Sequence, residues 1–473
     1  MQIDDTVWRL SAILRKARSI KNHFAPINKI PPETLALAAT FLPTERDLIN
    51  ATAVCQQWRA TLLYFPQLWR NPGGPPSKLE AYLERSKAVP IEVSLSYPQL
   101  VVSVIPHTFR LAALTVHVVD SLEFEEITEH LHDPIPTLRS LEVRVQESDL
   151  YALKFPSGLD GRLFPHLNTL TSNAIPSFRG PNPFPHITEL SLCTDASPDA
   201  LGTALLDALQ HLPGLVKVSL KFQEDWYTNI DFGRIVTLPC VQEMHLCTAG
   251  ASASTKSIPP ILQFLKLPKV TSVTLRSGFP PMAHLSILPL ISFHEQLPNY
   301  VELPELRIDT ASYSGTAVFR SSSQAVFTYH TGILRNYHER ERLLWGALPL
   351  SSVRRVTAIL VDPQHGGEDG WLVDLLGYLD LELLELGGDC GRVLRRLRRN
   401  LARDGMGIAM WIGIKTLIVR GGEHARTQAV KFESTKYNLG LQNMTVTYIP
   451  DHRVHERDPG VSDDDWDDDL EEY

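Results

Sequence analysis

Several residues in the chain could do chemistry, but none stands at the spacing a reaction or a metal requires. The sequence holds no GxxxxGK[ST], GxGxxG, GxSxG or HExxH, so it lacks the usual phosphate cradles, the nucleophile elbow and the zinc-protease helix. His338-Glu339-Arg340-Glu341 has no second ligand one helical turn on, and reads as a solvated charged face. Gly366-Gly367-Glu368-Asp369-Gly370 offers two carboxylates, too few oxygens for a calcium loop. His245 and Cys247 share a strand face at i, i+2 without completing a ligand set. The five cysteines, Cys55, Cys193, Cys240, Cys247 and Cys390, are odd in number and form no CxxC. A disulfide framework or zinc site is therefore not expected, and reduced thiols in a cytoplasmic or nuclear protein are. No catalytic residue, cofactor or metal is assigned, and the chain is expected not to be an enzyme.

Charge is distributed unevenly. The chain has 473 residues, with 54 acidic and 45 basic side chains, for a net charge of −9. Residues 463–473 hold eight acids and no base, so the remaining 462 carry 46 acids against 45 bases, a net of −1. The body is nearly neutral and the acidity is a tail, expected to stay disordered through self-repulsion. Trp466, Leu470 and Tyr473 stand among its acids. Gly391–Asn400 is the sharpest basic patch, on an amphipathic helix whose apolar side is Val393, Leu394, Leu397 and Leu401. It lacks interleaved aromatics, so it reads as an exposed arginine face and no nucleic-acid partner is expected. No apolar run approaches the ~18 residues of a membrane helix, and no membrane partner is expected. The start of the chain has basic residues and no uninterrupted apolar core, which argues against a secretory signal. Asp4 and Asp5 argue against a mitochondrial presequence, and a short amphipathic helix over about 5–20 is the expectation.

Residues 30–70 read as a compact helical module. Pro31 and Pro32 suit a first helical turn, with Glu33 near the helix N-terminus. Leu35, Ala38 and Leu42 fall at helical spacing, Thr44–Asp47 supplies a turn and a new N-cap, and Leu48, Ala51, Val54, Cys55 and Trp58 form the stripe of a second helix. A last turn carries Leu62, Leu63, Phe65, Pro66, Leu68 and Trp69. Three short helices make too small a core to be robust alone, so such a module needs a neighbour or partner over its apolar surface.

These residues carry a family resemblance. Ile30-Pro31-x-Glu33, Leu42-Pro43-x-x-x-Asp47-Leu48, Val54-Cys55-x-x-Trp58-Arg59 and Leu68-Trp69 resemble the F-box motif along its whole length. Ile30 replaces the usual leading Leu, Thr34 an aliphatic, and Gln56 a commonly basic residue. The resemblance implies a module that binds the Skp-type adaptor of cullin–RING ubiquitin ligases. It further implies that Pro31, Leu35, Leu42, Leu48, Val54, Trp58 and Trp69 carry the fold and the adaptor contact, and that the rest of the chain captures a protein substrate.

Beyond the breaker cluster 71–77, read as a linker, a small pattern recurs to about residue 450. Pro-x-apolar-x-x-apolar begins at Pro136, Pro165, Pro185, Pro213, Pro239, Pro268 and Pro298, at intervals of 29, 20, 28, 26, 29 and 30 residues. These periods suit leucine-rich repeats and not the ~40–45-residue blades of a β-propeller. VPIEVSLSY (89–97) and LAALTVHVV (111–119) read as strands before the run, and VRRVTAILV (353–361), LELLELGG (381–388) and GIKTLIVRG (413–421) as irregular later copies. Alternation such as Leu190-Ser191-Leu192 marks half-buried strands, and a proline is tolerated at a strand's first residue. DALGTALLDALQHL (199–212) and IPPILQFLKL (258–267) read as intervening helices. The repeats resemble leucine-rich repeats without their usual Asn/Cys position.

The expected fold is thus α/β: an N-terminal helix over 1–29, a three-helix F-box over 30–70, an irregular leucine-rich-repeat-like solenoid over 78–450 with a parallel sheet on its concave face, and the tail 451–473. Alternation puts Glu189, Ser191, Lys217, Ser219, Lys221, Glu243, His245, Ser272, Thr274 and Arg276 on the substrate-facing side. The expected function is that of a substrate-recognition subunit of an SCF-type ubiquitin ligase. The alternative is a repeat scaffold that binds the adaptor or other proteins without ligase activity.

Overall fold

The computed structural model describes residues 2–72, 75–131, 133–146, 159–176, 178–179, 184, 186–194, 198–222, 234–248, 264–277, 297–300, 305–311, 314–321, 325–331, 353–360, 381–388, 390–391, 393–395, 414–436 and 441–450. The chain is mixed α/β with extensive parallel sheet. It forms two compact units, the described residues through 187 and those from 188 onward.

The first unit opens with helices. They are α1 (Gln2–His23), α2 (Pro32–Ala39), α3 (Glu45–Thr52), α4 (Gln56–Tyr64) and α5 (Pro76–Arg85), with 3-10 turns at Pro26–Lys29 and Pro66–Trp69. The expected second helix is two helices, because Cys55 is fully extended (φ −158°, ψ 171°) and leaves Val54 and Cys55 in the corner between α3 and α4. In α2 the buried positions are Leu35, Ala36 and Ala39, while Ala38 faces solvent. The unit continues with β1 (Ile91–Leu95), α6 (Val101–Val104), β2 (Leu111–Val118), α7 (Ser121–His130), β3 (Ser140–Val145), β4 (Leu159–Asp160), β5 (Thr169–Ser172) and β6 (Phe178–Arg179). Strands β1-β2-β3-β5 pair in parallel, and β4 pairs with β6.

The stretch expected as a linker is partly used by the fold. Glu92 N–H donates to Arg70 O at 2.8 Å and Ser94 N–H to Pro72 O at 3.3 Å, so the chain after Trp69 covers the free edge of β1. Helix α5 then begins at Pro76, and its Tyr82 joins the core of the helices before it.

The second unit contains β7 (Glu189–Thr194), α8 (Pro198–Gln210), β8 (Lys217–Phe222), β9 (Val236–Thr237), β10 (Glu243–Thr248), β11 (Leu265–Lys266), β12 (Ser272–Ser277), β13 (Glu305–Ala311), β14 (Ser314–Arg320), β15 (Val326–Thr331), β16 (Arg355–Leu360), β17 (Leu383–Gly388), β18 (Thr416–Gly421), α9 (Glu423–Thr435) and β19 (Thr445–Pro450). Strands β7-β8-β10-β12 are parallel and in register, and β12 pairs in parallel with β15. There the expected parallel order breaks. Strand β14 is antiparallel to both β13 and β15, and β13 then leads in parallel into β16-β17-β18-β19. Only two residues separate β13 from β14, far fewer than the dozen or more of a parallel crossover, so a hairpin is the only connection available. The expected strand at 298–303 is likewise displaced. Pro298–Tyr300 is a 3-10 turn and β13 starts at Glu305. Of the expected helix 258–267, residues 258–263 lie outside the described residues and Leu265–Lys266 is strand β11, paired with β9.

The recurrent prolines have a different role from the one expected. From Pro136 to Pro268 each strand begins four residues after its proline, and Pro136, Pro165, Pro213, Pro239 and Pro268 themselves sit in turns. The residue before the proline accepts a hydrogen bond from the N–H three positions on: Leu138 to Ile135 at 3.2 Å, Leu167 to Phe164 at 3.2 Å, Leu215 to Leu212 at 3.2 Å and Val270 to Leu267 at 3.4 Å. Proline at the second position of such a turn has φ already set. The two apolar residues bracketing each turn are buried, so every repeat anchors its strand by one small apolar staple. A second regularity lies just beyond. The carbonyl of Val216 accepts from both Gln242 and Glu243, and that of Gln242 from both Thr271 and Ser272. One carbonyl thus starts each new ladder.

Candidate protein-interaction surfaces

The helical module is built around one indole. Trp69 is 0% exposed, donates from Nε1 to Leu62 O at 3.0 Å, and meets the Tyr82 ring edge-on at 4.9 Å between centroids. The Arg85 guanidinium lies 4.6 Å from the Trp69 ring centroid. Leu35, Ala39, Leu48, Ala51 and Leu62 complete the cluster, with Ile30, Leu42, Trp58, Leu63 and Leu68 packed on it. Helix α3 forms where expected: Thr44 Oγ1 accepts from Asp47 N–H at 3.2 Å and donates to Asp47 Oδ2 at 2.6 Å. Burial, reinforced by the Glu45 carboxylate, pushes the Tyr82 phenol well above its ordinary range, so it stays neutral. Glu45 in turn pairs with Lys78, which ties α3 to α5.

The seven residues expected to carry fold and adaptor contact therefore divide. Leu35, Leu48 and Trp69 are buried in the module's own core. Leu42 and Trp58 are half-buried against it, and the Trp58 indole N–H is enclosed without an acceptor. Pro31 is exposed, and Val54 is 59% exposed in the α3–α4 corner. Three residues that the motif does not mark, Leu37, Phe41 (79% exposed) and Ile49, add to the module's uncovered apolar surface. A helix-period reading passes over them because α2 carries leucines on both faces, Phe41 lies past the end of α2, and Ile49 adjoins the buried Leu48 in α3.

Positioning residues also escaped the sequence reading. Asn28 accepts from Gln57 Nε2 through its carbonyl at 2.7 Å, tying the first turn to α4. Arg110, buried at the end of β2's lead-in, donates to Leu83 O at 2.6 Å, Ser86 Oγ at 2.8 Å and Val89 O at 3.3 Å, and so closes the C-terminus of α5. Asn173 brackets Val145, with Nδ2 donating to Val145 O at 2.6 Å and Oδ1 accepting from Val145 N–H at 2.8 Å. That is an asparagine holding neighbouring strands together, a feature the sequence pattern did not expose because it occurs without a repeating position.

The second surface is the polar side of β7, β8, β10 and β12. Register places Glu189, Lys217, Glu243 and Ser272 in one row, Ser191, Ser219, His245 and Thr274 in the next, and Cys193, Lys221, Cys247 and Arg276 in a third. The intervening Leu190, Leu192, Val218, Leu220, Met244, Leu246, Val273 and Leu275 are buried. Every strand residue expected on the substrate-facing side is thus on one face. Glu243 is shared, at 3.3 Å from Lys217 Nζ and 3.7 Å from His245 Nε2. Lys221 and Arg276 flank Cys247, yet burial prevails and pushes its thiol up, leaving it protonated and a poor nucleophile.

Among the described residues no three His, Cys, Asp or Glu side chains are grouped to hold a metal ion, and no helix is long and apolar enough to cross a membrane. The His338–Glu341 segment, the Gly366–Gly370 loop and the acidic tail lie outside the described residues, as do residues 396–400 of the basic patch. Val393 and Leu394 on its apolar side are buried. Compared with known protein families and curated proteins, the chain has no match to a family model and no matching relative.

Proposed function

We propose that the protein is a substrate-recognition subunit of an SCF-type ubiquitin ligase. The helical module docks on a Skp-type adaptor through Pro31, Val54, Leu42 and Trp58, joined by Leu37, Phe41 and Ile49. The polar strand face, with Glu189, Ser191, Lys217, Ser219, Lys221, Glu243, His245, Thr274 and Arg276, takes a protein substrate. The protein works as a bridge: it holds lysines of the substrate near the transferring enzyme and raises their effective concentration. The observation that carries this reading is the division of the motif. Its most buried positions fill the module's core, while others lie on a surface with uncovered apolar side chains, as expected of a fold that needs a partner. The mixed charges of the strand face suit a protein ligand better than a polyanion. A solenoid with that face concave is part of the proposal.

Affinity purification of the full chain tests it. Adaptor and cullin should be recovered with the wild-type protein, and a Pro31→Ala/Val54→Asp variant, altered at exposed positions, should lose them by more than about tenfold while keeping its circular dichroism. Recovery of neither, or equal recovery by the variant, sinks the adaptor assignment. Adaptor recovered without cullin points to the alternative, a non-catalytic scaffold acting outside a ligase.

A further inference from the structure

Helix α1 carries an apolar side that is left open and, after Asp4 and Asp5 in its first turn, only cationic charges. Val7, Leu10, Ile13, Leu14 and Ile20 recur at the three-, four- and seven-residue spacings that place side chains on one helix face. All five are more than half exposed, Ile13 at 64%. Trp8, also exposed, stands apart from this stripe. Among the described elements α1 packs chiefly on the adjacent turn Pro26–Lys29. Residues 6–24 contain five Lys or Arg and no Asp or Glu. Arg9, Lys16 and Arg18 flank the apolar stripe and Lys21 falls on its C-terminal end, seven residues on from Leu14; all four are exposed, and Lys16, Arg18 and Lys21 form no ion pair among the described residues.

A contiguous apolar stripe of this size needs a cover, and the charge pattern selects among covers. A second copy of α1 would bring two strongly cationic helices side by side, where like charges repel. A groove on a partner protein covers the apolar stripe but leaves the five cations of residues 6–24, with no acid among them, unexplained. An anionic bilayer satisfies both faces at once. The apolar side sinks to the acyl boundary, and the flanking cations sit among the headgroups.

We propose that α1 is an interfacial helix that lays the protein on a membrane of anionic phospholipid. At 1.5 Å per residue its 22 residues make a strip about 33 Å long, lying in the plane of the surface and not across it. The sequence-based expectation of no membrane partner concerned spanning segments, which are a separate matter from a helix of this kind. The inference is independent of the ligase reading.

Vesicle flotation with the full chain tests it, using phosphatidylcholine vesicles with and without phosphatidylserine. The wild-type protein should float with the anionic vesicles, at least about tenfold better than with neutral ones, and lose this as salt rises. Ile13→Glu/Leu14→Glu should abolish binding, and Lys16→Glu/Arg18→Glu/Lys21→Glu should weaken it by more than about tenfold. These residues are exposed, so circular dichroism and thermal unfolding should be unchanged. No flotation with anionic vesicles, or flotation that both variants retain, overturns the proposal. So does an α1-dependent dimer, seen by light scattering, in protein that ignores the vesicles.

Discussion

Residues 26–85 converge on a single aromatic centre, Trp69 against Tyr82 and Leu62, whereas β8, β10 and β12 repeat one modest unit, an apolar-Pro-x-apolar turn followed by six alternating residues. In the module a few large side chains, each touching several helices, hold everything, so stability is concentrated. In the strand array each repeat mainly contacts its neighbours, so stability is spread along the sheet. A concentrated core leaves the outer helix faces free to carry a partner. A distributed one allows a strand face to be rewritten residue by residue without loss of the fold.

Four substitutions should break or sharpen that contrast. Trp69→Ala should have the largest effect, about 3–5 kcal/mol, because it removes the indole, its bond to Leu62 O and the Tyr82 contact together. Urea unfolding should show loss of the whole module, and limited proteolysis should then cut within residues 26–85. Leu246→Ala should cost about 2–5 kcal/mol, but locally. Hydrogen exchange should rise in β8, β10 and β12 and stay unchanged in α2–α5, and exchange that rises everywhere would mean that module and array unfold as one cooperative unit. Asn173→Ala removes both bonds to Val145 and should cost about 1–3 kcal/mol, read as a lower urea midpoint with an unaltered slope. Pro268→Ala should cost least, about 0.5–1 kcal/mol, since the turn persists and only the unfolded chain gains freedom. A larger loss in the thermal melt would mean that the proline contributes packing as well.

How much was legible in the sequence depended on whether a signal was local. Strand existence was readable at every Pro-x-apolar site from Pro136 to Pro268, because alternation and turn chemistry are properties of a dozen contiguous residues. The role of the proline was misplaced by four residues, since a first strand residue and the second residue of a turn look alike until the hydrogen bond from Leu138 to Ile135 is seen. The split between α3 and α4 was missed because Val54 and Cys55 continue an apolar stripe even though the backbone turns there. The sign of exposure within the module was beyond reach in the same way. Leu35 and Leu37 are both leucines on one helix, yet one is buried and the other 61% exposed.

By itself, the sequence determined the α/β class, the positions of most strands, the shared polar face from Glu189 to Arg276 and the neutrality of the body once the tail is set apart. Each of these follows from period, spacing or composition, which need no knowledge of distant residues. Only the tertiary structure decided that α5 belongs with the module, that residues 70–72 cover the edge of β1, and that an antiparallel hairpin interrupts the sheet between β12 and β16. It alone showed that the apolar side of α1 is left uncovered. Those outcomes depend on which surfaces remain unpaired after all the local elements have formed, a competition between distant segments that no window of sequence contains.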